Sequence, residues 1–229
     1  MINAALYHFT NKSEKRPIVC QKQIEELKQY AASIGLSIAE DDIYLDKSIN
    51  RTDHTEFRRF MDNCDKYTAL VTKDFYHIAK NTIHSFKILK ELNNKGIHTY
   101  TMLNGAYITD NPPFDKSLRI ATYDFISEET EKKELIQSIN EERFQLFTRM
   151  QTNWQIIDSY ADTGLTQNNG EQTALAQLIK NRDKYDLILI LDFSDIHRHT
   201  ARFCHKRESI GLDIYSLMGG YLRYTEPSL

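Results

Sequence analysis

The sequence predicts an α/β protein with two similar domains in tandem, each a mainly parallel four-stranded sheet flanked by helices. Three observations predict this fold. The seventeen residues 66–82 return at 184–200, with an offset of 118 (184 minus 66) and six identical positions. Strand-like and helix-like stretches alternate along both halves. The stretch 187–191 is continuously apolar, as is typical of a strand covered on both faces of a parallel sheet.

The flanks of this repeat also match, in the same order and at offsets of 115 to 118. Such matches at nearly one spacing indicate an internal duplication. The duplication sets the predicted boundaries at 1–109 for the first domain, 110–118 for a linker and 119–229 for the second domain. Two separate sheets are expected, and one sheet running through both halves would contradict the duplication. The matched residues include Tyr7 with Tyr123, Asp46 with Asp162, and Gly96 with Gly211.

The first half reads as strands alternating with helices. Residues 19–34 have apolar residues at helical spacing up to Gly35, and the third helix stops before Gly96, a common helix-ending residue. The polar stretch 46–53 predicts a loop before the second helix. The expected strands are 4–9, 37–44, 69–73 and 99–103, and the expected helices are 19–34, 56–64 and 82–95.

The second half repeats this order after Pro112 and Pro113, which interrupt the periodicity. Its polar stretch, 162–171, corresponds to the loop of the first half. Strands that alternate with helices imply parallel pairing through right-handed crossovers. The expected strands are 119–125, 154–160, 187–192 and 212–217, and the expected helices are 131–150, 172–181 and 200–210.

Composition narrows the functional classes. The 229 residues carry a formal net charge of −3, which argues against strong nucleic-acid binding. The three cysteines form no CxxC pair, as expected of reduced thiols in the cytoplasm. No stretch resembles a signal peptide or a membrane span, so we expect a cytoplasmic protein without membrane contact.

These landmarks resemble the catalytic domain of the serine recombinases (resolvases and invertases), once in each half. The family's first strand carries Tyr-x-Arg-x-Ser, and Tyr7 and Tyr123 start the corresponding stretches. Its polar loop contains an aspartate, here Asp46 and Asp162. Its next helix starts with Arg-Pro-x-apolar, and its third strand ends in Asp-Arg-Leu-x-Arg. The resemblance implies two resolvase-like domains in a bacterial or phage-type protein.

The resemblance also implies a chemistry: a serine attacks a DNA phosphodiester while several arginines hold the phosphate. Arginine suits this role because its planar fork binds phosphate oxygens in pairs and stays charged. Phosphoryl transfer depends chiefly on such positioning and on electrostatic stabilisation. Activity therefore depends on whether these residue types remain in the chain.

In the first half they do not. Phe9 stands at the first arginine position and Asn11 at the nucleophile position, with Ser13 as a weaker candidate beyond it. His54 stands at the helix-start arginine position, with Arg51 nearby. The segment after the third strand, 76–80, is named the first hook. It has His77 and Lys80 in place of the paired arginines.

The second half keeps more of the pattern. Ser127 stands at the nucleophile position, but Phe125 and Gln172 replace arginines. The second hook, 194–198, keeps Arg198, whereas Asp195 places a negative charge that would repel a phosphate. Loss of one preorganised donor costs about 10²–10³ in rate, so several losses plausibly cost ~10⁵ or more. The chain also ends soon after the last strand, so neither the family's long dimerising helix nor its DNA-binding domain is expected.

Several residues also have a simpler structural interpretation. Ser127 can bond local backbone, and Arg198 can pair with Asp192 or Asp195. Asp46 and Asp162 can be metal ligands, although loop aspartates more often form Asx turns. A zinc site has no closed motif to support it, and the aromatic residues after the third strands fit a core better than a base-stacking platform. These last candidates are His197, His199, Cys204 and His205 for zinc, and Phe75 and Phe193 for stacking.

We therefore expect a non-catalytic binding or regulatory protein with a protein partner, at most weak DNA binding, no cofactor and no metal. Its oligomeric state is left open. One alternative is a divergent DNA recombinase that uses Ser127 and Arg198. Another is a small-ligand-binding α/β module, against which no glycine-rich phosphate loop follows either first strand.

Overall fold

The fold is known from a computed structural model, in which the predicted helices form within two residues of their expected ends. Within the described part of the chain, no helix is both long and apolar enough to span a membrane. Among the described residues, the three cysteines form no disulfide with one another. The structure describes residues 2–10, 17–47, 54–108, 114–127, 132–164 and 172–224.

The elements follow the predicted alternation in both halves. The first half contains β1 (Ile2–Thr10), α1 (Pro17–Ser33), β2 (Leu36–Ser37), β3 (Ile43–Lys47), α2 (Thr55–Asp62), β4 (Ala69–Thr72), α3 (Thr82–Asn94), β5 (His98–Thr101) and β6 (Gly105–Tyr107). The second half contains β7 (Leu118–Ser127), α4 (Lys133–Arg149), β8 (Trp154–Gly164), α5 (Thr173–Lys180), β9 (Leu187–Ile190), α6 (Thr200–Ile210), β10 (Asp213–Ser216) and β11 (Gly220–Arg223).

Some predicted strands differ from the observed ones. The strand expected at 37–44 is divided into β2 and β3, with a short 3₁₀ turn at Glu40–Asp42 between them. The strand expected to end at residue 160 continues to Gly164, so Asp162 lies in a strand rather than in a loop. The short strands β6 and β11 were not predicted. The linker residues 109–113 lie outside the described part of the chain.

The described strands form one mixed sheet in the order β2, β1, β4, β5, β6, β11, β10, β9, β7, β8, with β3 also paired to β1. In the first half β1, β4 and β5 pair in parallel, and in the second half β7, β9 and β10 do so. The short strands β6 and β11 run antiparallel to β5 and β10, and also to each other.

The expectation of two separate, four-stranded sheets is therefore wrong, and the single sheet counts against the duplication in the form predicted from the sequence. Each half contains an extra strand that turns back beside its last parallel strand. Gly105 and Gly220, which start these strands, have φ values of 89° and 87°, a conformation that glycine adopts at little cost. The outer edges of β6 and β11 would expose unpaired backbone groups, and these edges pair with each other.

The join between the halves is reciprocal. Ala106 pairs with Arg223, and Tyr107 pairs with Leu222. At the offset of 115 that relates Gly105 to Gly220, Tyr107 corresponds to Leu222, its own pairing partner. A contact in which two patches exchange roles in this way is of the isologous kind that relates subunits of a twofold dimer.

One apolar core continues across the join. Phe86 of α3 stacks on Phe193 of the second half, with ring centroids 3.9 Å apart. Tyr107 donates a hydrogen bond to the carbonyl of Gly219. A Cβ atom at Gly219 would lie 2.5 Å from the ring of Phe193, so a larger residue there would displace this ring. The two halves are thus packed as one body.

Because the core is shared, damage to the first half should destabilise the second. Phe86→Ala should lower the free energy of unfolding by about 3–5 kcal/mol. Urea unfolding followed by fluorescence of Trp154, the single tryptophan, reports on the second half. The exposed Leu146 provides a control, since Leu146→Ala should change the stability by no more than about 0.5 kcal/mol. An unchanged Trp154 transition in Phe86→Ala would contradict the shared core.

Candidate functional site

In the first half, an aspartate at the end of a strand holds the start of the next helix. Asp46 accepts hydrogen bonds from the N–H groups of Glu56 at 2.9 Å and Phe57 at 3.0 Å. Tyr7 donates its hydroxyl to the same carboxylate at 3.1 Å. The first N–H groups of a helix have no partner inside the helix and favour a negative charge, so Asp46 stabilises the start of α2.

The second half repeats this arrangement. Asp162 accepts hydrogen bonds from the N–H groups of Ala174 at 2.9 Å and Leu175 at 3.0 Å, and from the hydroxyl of Tyr123 at 3.1 Å. Both oxygens of each aspartate thus have partners within the fold, which favours the structural interpretation over metal binding. Among the described residues, no group of three or more His, Cys, Asp or Glu side chains is placed to hold a metal ion.

The residues at the helix-start arginine position face inward. The Nδ1 atom of His54 lies 3.4 Å from the hydroxyl of Tyr7. Gln172, which is buried, donates from Nε2 to the hydroxyl of Tyr123 at 3.0 Å and to the carbonyl of Ile196 at 3.2 Å. Gln172 thus links β7, the first strand of the second half, to the second hook. Its amide is used inside the fold rather than as a phosphate ligand.

Asp74, which lies just before the first hook, holds this hook in place. Asp74 accepts hydrogen bonds from the backbone N–H of His77 at 3.0 Å and from its Nδ1 at 2.8 Å. Burial pushes the pKa of Asp74 up, but the hydrogen bonds and charge of His77 outweigh it and hold this pKa below its usual value. His77 is itself buried, so its side chain serves the fold where the family has an arginine.

His8 lies beside this pair and was not singled out from the sequence. Its ring stacks on that of His77 with centroids 5.0 Å apart, and its Nε2 lies 2.9 Å from Oε1 of Gln23. Burial, followed by the charge of His77, lowers the pKa of His8 to about 4. The imidazole of His8 is therefore neutral at pH 7.

The second hook is held by two aspartates. Asp192 accepts a hydrogen bond from the N–H of Ser194 at 2.8 Å, and Asp195 accepts one from the N–H of Asp192 at 2.9 Å. Burial, opposed by this hydrogen bond and assisted by the charges of Asp124 and Asp192, raises the pKa of Asp195 to about 8. The expected negative charge of Asp195 is thus largely absent at pH 7. The repulsion of a phosphate expected from Asp195 is correspondingly reduced at that pH.

The two hooks bind each other. The N–H of Thr82 donates to the carbonyl of Arg198 at 2.9 Å, and the N–H of Thr200 donates to the carbonyl of Lys80 at 2.8 Å. These bonds exchange under an offset of 118 (200 minus 82, and 198 minus 80), so this contact is reciprocal too. Between them, Asn81 and His199 form an antiparallel bridge. The sequence marked both threonines as identical ends of the repeat, but their role was missed.

The two candidate catalytic residues lie at the same edge of the sheet. Ser127 ends β7, where its backbone pairs with Gly164, and its side chain lies outside the described part of the structure. Arg198 is exposed at the end of the second hook. Because β7 and β9 are parallel neighbours, both residues follow carboxyl ends of strands, and their cooperation as a site stays a prediction. Asn11, Ser13 and Arg51 lie outside the described residues.

The threonines of the hook contact allow a matched test. Both side chains are buried, but the Oγ1 atom of Thr82 donates to the carbonyl of His197 at 2.6 Å, whereas that of Thr200 has no hydrogen-bond partner among the described residues. Thr82→Val should therefore lower the free energy of unfolding by about 1–2 kcal/mol. Thr200→Val should leave it unchanged or raise it. Equal losses in urea denaturation would contradict the hydrogen bond to His197.

The charge state of Asp195 can be tested by pH. The folded protein keeps Asp195 protonated up to about pH 8, whereas the unfolded chain releases this proton near its ordinary value of 3.8. Wild-type stability from this group is therefore present below pH 4 and is lost as the pH rises to 8. Asp195→Asn should remove that loss. The free energy of unfolding of Asp195→Asn should exceed that of the wild type by a difference that grows from pH 4 to 8. This difference should reach about 2–4 kcal/mol and then stay constant. A difference independent of pH would show an ionised Asp195.

Comparison with known proteins places these features in a family. The family model described as "Resolvase, N terminal domain" matches residues 12–143, which is 132 of the 229 residues (143 minus 12, counting both ends). The match crosses the predicted linker 110–118 and ends in α4, so it does not coincide with either predicted repeat. No curated protein sequence matches the chain significantly.

Solved structures with similarity to the chain include the N-terminal catalytic domain of TP901-1 integrase. It is 19% identical, with a TM-score of 0.33, over 44% of this chain and 77% of that one. LsrB from Clostridium saccharobutylicum is 10% identical with a TM-score of 0.30, over 93% and 70% of the two chains. The Caulobacter myo-inositol binding protein is 10% identical with a TM-score of 0.29, over 94% and 74%. These structural scores are low, and the family match over more than half of the sequence is what identifies the chain: it belongs to the resolvase family, through the N-terminal resolvase domain.

Proposed function

We propose that this chain is a non-catalytic member of the resolvase family that acts by binding a partner protein. The observation that carries the proposal is the reciprocal hydrogen bonding between the hooks, from Thr82 to Arg198 and from Thr200 to Lys80. Where the family holds a phosphate, these hooks hold each other. The backbone that would present the hook cations to DNA is committed to an internal contact.

We further propose that residues 1–109 and 119–229, joined by the linker 110–118, are two degenerate copies of one resolvase-like unit. The strands of each half follow the same order, with β1, β4, β5, β6 matched by β7, β9, β10, β11. At the join between strand edges and at the join between hooks, residues related by offsets of 115 and 118 face each other. The single sheet counts against two independent domains, but pairing of the two outer edges in a fused dimer would also produce it, and the matched strand order supports that arrangement.

The residues at the arginine positions support loss of cleavage. The phenylalanines Phe9 and Phe125 have no donor to offer a phosphate. Gln172 and His77 have donors, but these bind Tyr123 and Asp74 inside the fold. Preorganised donors aimed at the reacting phosphate are each worth about 10²–10³ in rate. With several of them missing, Ser127 would lack the field that activates and stabilises phosphoryl transfer.

A divergent recombinase that uses Ser127 and Arg198 is the second candidate. Two observations favour it. Arg198 is exposed at the carboxyl edge of the sheet, and the raised pKa of Asp195 removes most of the repulsion expected beside it at neutral pH. One guanidinium without the remaining donors is a weak phosphate site, so this candidate ranks second.

The composition of the chain and the state of its cysteines bear on DNA binding and on cellular location. A net charge of −3 favours weak, salt-sensitive DNA binding over sequence-specific binding. The described cysteines form no disulfide, which favours a cytoplasmic location, because oxidising compartments drive thiols into disulfides. A bacterial or phage origin follows from the family resemblance.

The proposal predicts that the protein forms no serine-linked adduct with DNA. Purified protein would be incubated with labelled, sheared genomic DNA from its source, and covalent complexes would be recovered by potassium–SDS precipitation. Wild-type protein and Ser127→Ala should both retain only background label. An active serine recombinase with its own site DNA controls the assay. A wild-type adduct that is lost in Ser127→Ala would establish the recombinase instead.

A further inference from the structure

A cavity of about 490 Å³ lies between α2, the first hook and the start of α3, where the parallel strands of the first half end. This edge of an α/β sheet is where such folds bind their ligands. Two of the lining residues, Phe57 and Ile78, are apolar and buried. Three others, Arg58, Lys80 and His84, are basic and exposed. None of the described residues that line the cavity is acidic.

Two aromatic rings of the lining are held by contacts with neighbouring rings. The ring of Phe57 packs on that of Tyr7, with centroids 4.8 Å apart. The ring of Tyr76 lies 5.5 Å from the ring of His199, which belongs to the other half of the chain. Side chains that are already ordered lose little conformational freedom when a ligand packs on them. The cavity therefore offers a preorganised aromatic surface.

The basic side of the lining has donors that the fold does not use. The guanidinium of Arg58 has no ion-pair or hydrogen-bond partner among the described residues, whereas Arg59, the next residue, pairs with Glu56 at 2.9 Å. A guanidinium presents a planar fork of N–H groups that matches the two oxygens of a carboxylate. The helix α3 also begins at this cavity, and the positive end of its dipole favours an anion.

We propose that this cavity binds a small aromatic carboxylate. The flat ring of the ligand packs on Phe57 and Tyr76, with Ile88 as a further apolar contact. Its carboxylate binds the guanidinium of Arg58. This inference goes beyond the proposed function and does not rest on it, because it concerns a small molecule and not a partner protein.

Size and charge favour a small carboxylate over a DNA phosphate. A volume near 490 Å³ falls in the range of about 300–1,000 Å³ that is usual for ligand pockets, and a bicyclic ring with a short acid arm fits it. One forked guanidinium is enough to bind a single carboxylate. DNA binding instead draws its affinity from many phosphate contacts, and the whole chain carries a net charge of −3. The family's arginine positions in this half are occupied by Phe9, His54 and His77.

The site is specific to the first half. The second half lacks the arginine, the aromatic ring and the aliphatic side chain that the proposal uses. At the offset of 118 (176 minus 58, 194 minus 76, and 206 minus 88), it has Ala176 for Arg58, Ser194 for Tyr76 and Lys206 for Ile88. One ligand should therefore bind per chain.

The experiment titrates the full, ¹⁵N-labelled chain with indole-3-acetate and follows the backbone amide signals by NMR, which gives both the affinity and the place of binding. Two comparison ligands separate the contributions: indole-3-acetamide keeps the ring without the charge, and cyclohexylacetate keeps the charge without the aromatic ring. Arg58→Gln is the test variant. Arg59→Gln is the matched control, since Arg59 pairs with Glu56 and does not line the cavity. Thermal unfolding checks that both variants fold.

Indole-3-acetate should bind with a Kd of about 1 mM or below, as suits a ligand of this size, and the largest shifts should fall in 57–58, 76–80 and 84. Its affinity should fall about tenfold or more in Arg58→Gln and stay within about twofold in Arg59→Gln, as for loss of one charge-assisted contact. Indole-3-acetamide should bind the wild type about tenfold more weakly for the same reason. Cyclohexylacetate should bind about threefold more weakly or worse, because it lacks the ring that packs on the aromatic side chains.

Four outcomes overturn the site. These are no saturation by about 10 mM indole-3-acetate, equal affinity for either comparison ligand, equal losses in the two variants, and largest shifts outside the cavity. Displacement of indole-3-acetate by an equal concentration of inorganic phosphate also overturns it, since a phosphate site would then be present. Each such failure leaves the non-catalytic proposal standing, whereas a Ser127-dependent DNA adduct overturns that proposal and not the ligand result.

Discussion

Backbone groups at the carboxyl edge of the sheet bind each other across the middle of the molecule, where Thr82 and Thr200 donate to the opposite hook. The antiparallel pairing of β6 with β11 is a second backbone contact that joins the two halves. Both contacts use main-chain donors and acceptors that would otherwise need water or a ligand. Between them lies the stacked pair Phe86 and Phe193, which excludes water from the join. The position of each hook is therefore set by the other half of the chain.

This constraint decides what the hook side chains can do. A side chain that binds a phosphate must leave its polar atoms unpaired until the ligand arrives, and that state is costly in a buried site. Here the hook side chains are already hydrogen-bonded inside the fold. His77 binds Asp74, and Asp195 caps the turn that starts at Asp192. Their hydrogen bonds stabilise the hooks without any ligand. Under the proposed loss of cleavage, the internal hydrogen bonds of these groups accompany the replacement of the arginines.

The sequence predicted the elements well because their signals are local. Helix periodicity and the continuous apolar run at 187–191 need no knowledge of distant residues. The join could not be predicted in this way. The strand β6 has three residues, too few for a pattern, and its partner β11 lies more than a hundred residues away. The charge state of Asp195 could not be predicted for a related reason. The residue type is read from the sequence, but its pKa depends on burial by the whole fold.

A fused dimer differs from a true dimer in that its two copies are free to diverge, because a mutation changes one side of the contact only. Leu89 in the core of the first half corresponds to Arg207 in the second (207 minus 89 gives the offset of 118). Arg207 is fully buried, and its guanidinium has no hydrogen-bond partner among the described residues. Burial lowers its pKa to about 10, against the attraction of Asp213 and the ring of Tyr224, 4.7 Å away.

An unpaired buried guanidinium is costly, and in a symmetric dimer the same change would occur twice. Under the proposed duplication, fusion confines that cost to the second half and leaves Leu89 in the core of the first half. Under the proposed duplication, the same freedom accounts for the differences between Arg58 and Ala176 and between Ile88 and Lys206. Under the proposed duplication, the second half has drifted furthest in its core and keeps more of the ancestral site residues. The first half, by contrast, keeps Leu89 in its core and has Asn11 at the position of the nucleophile.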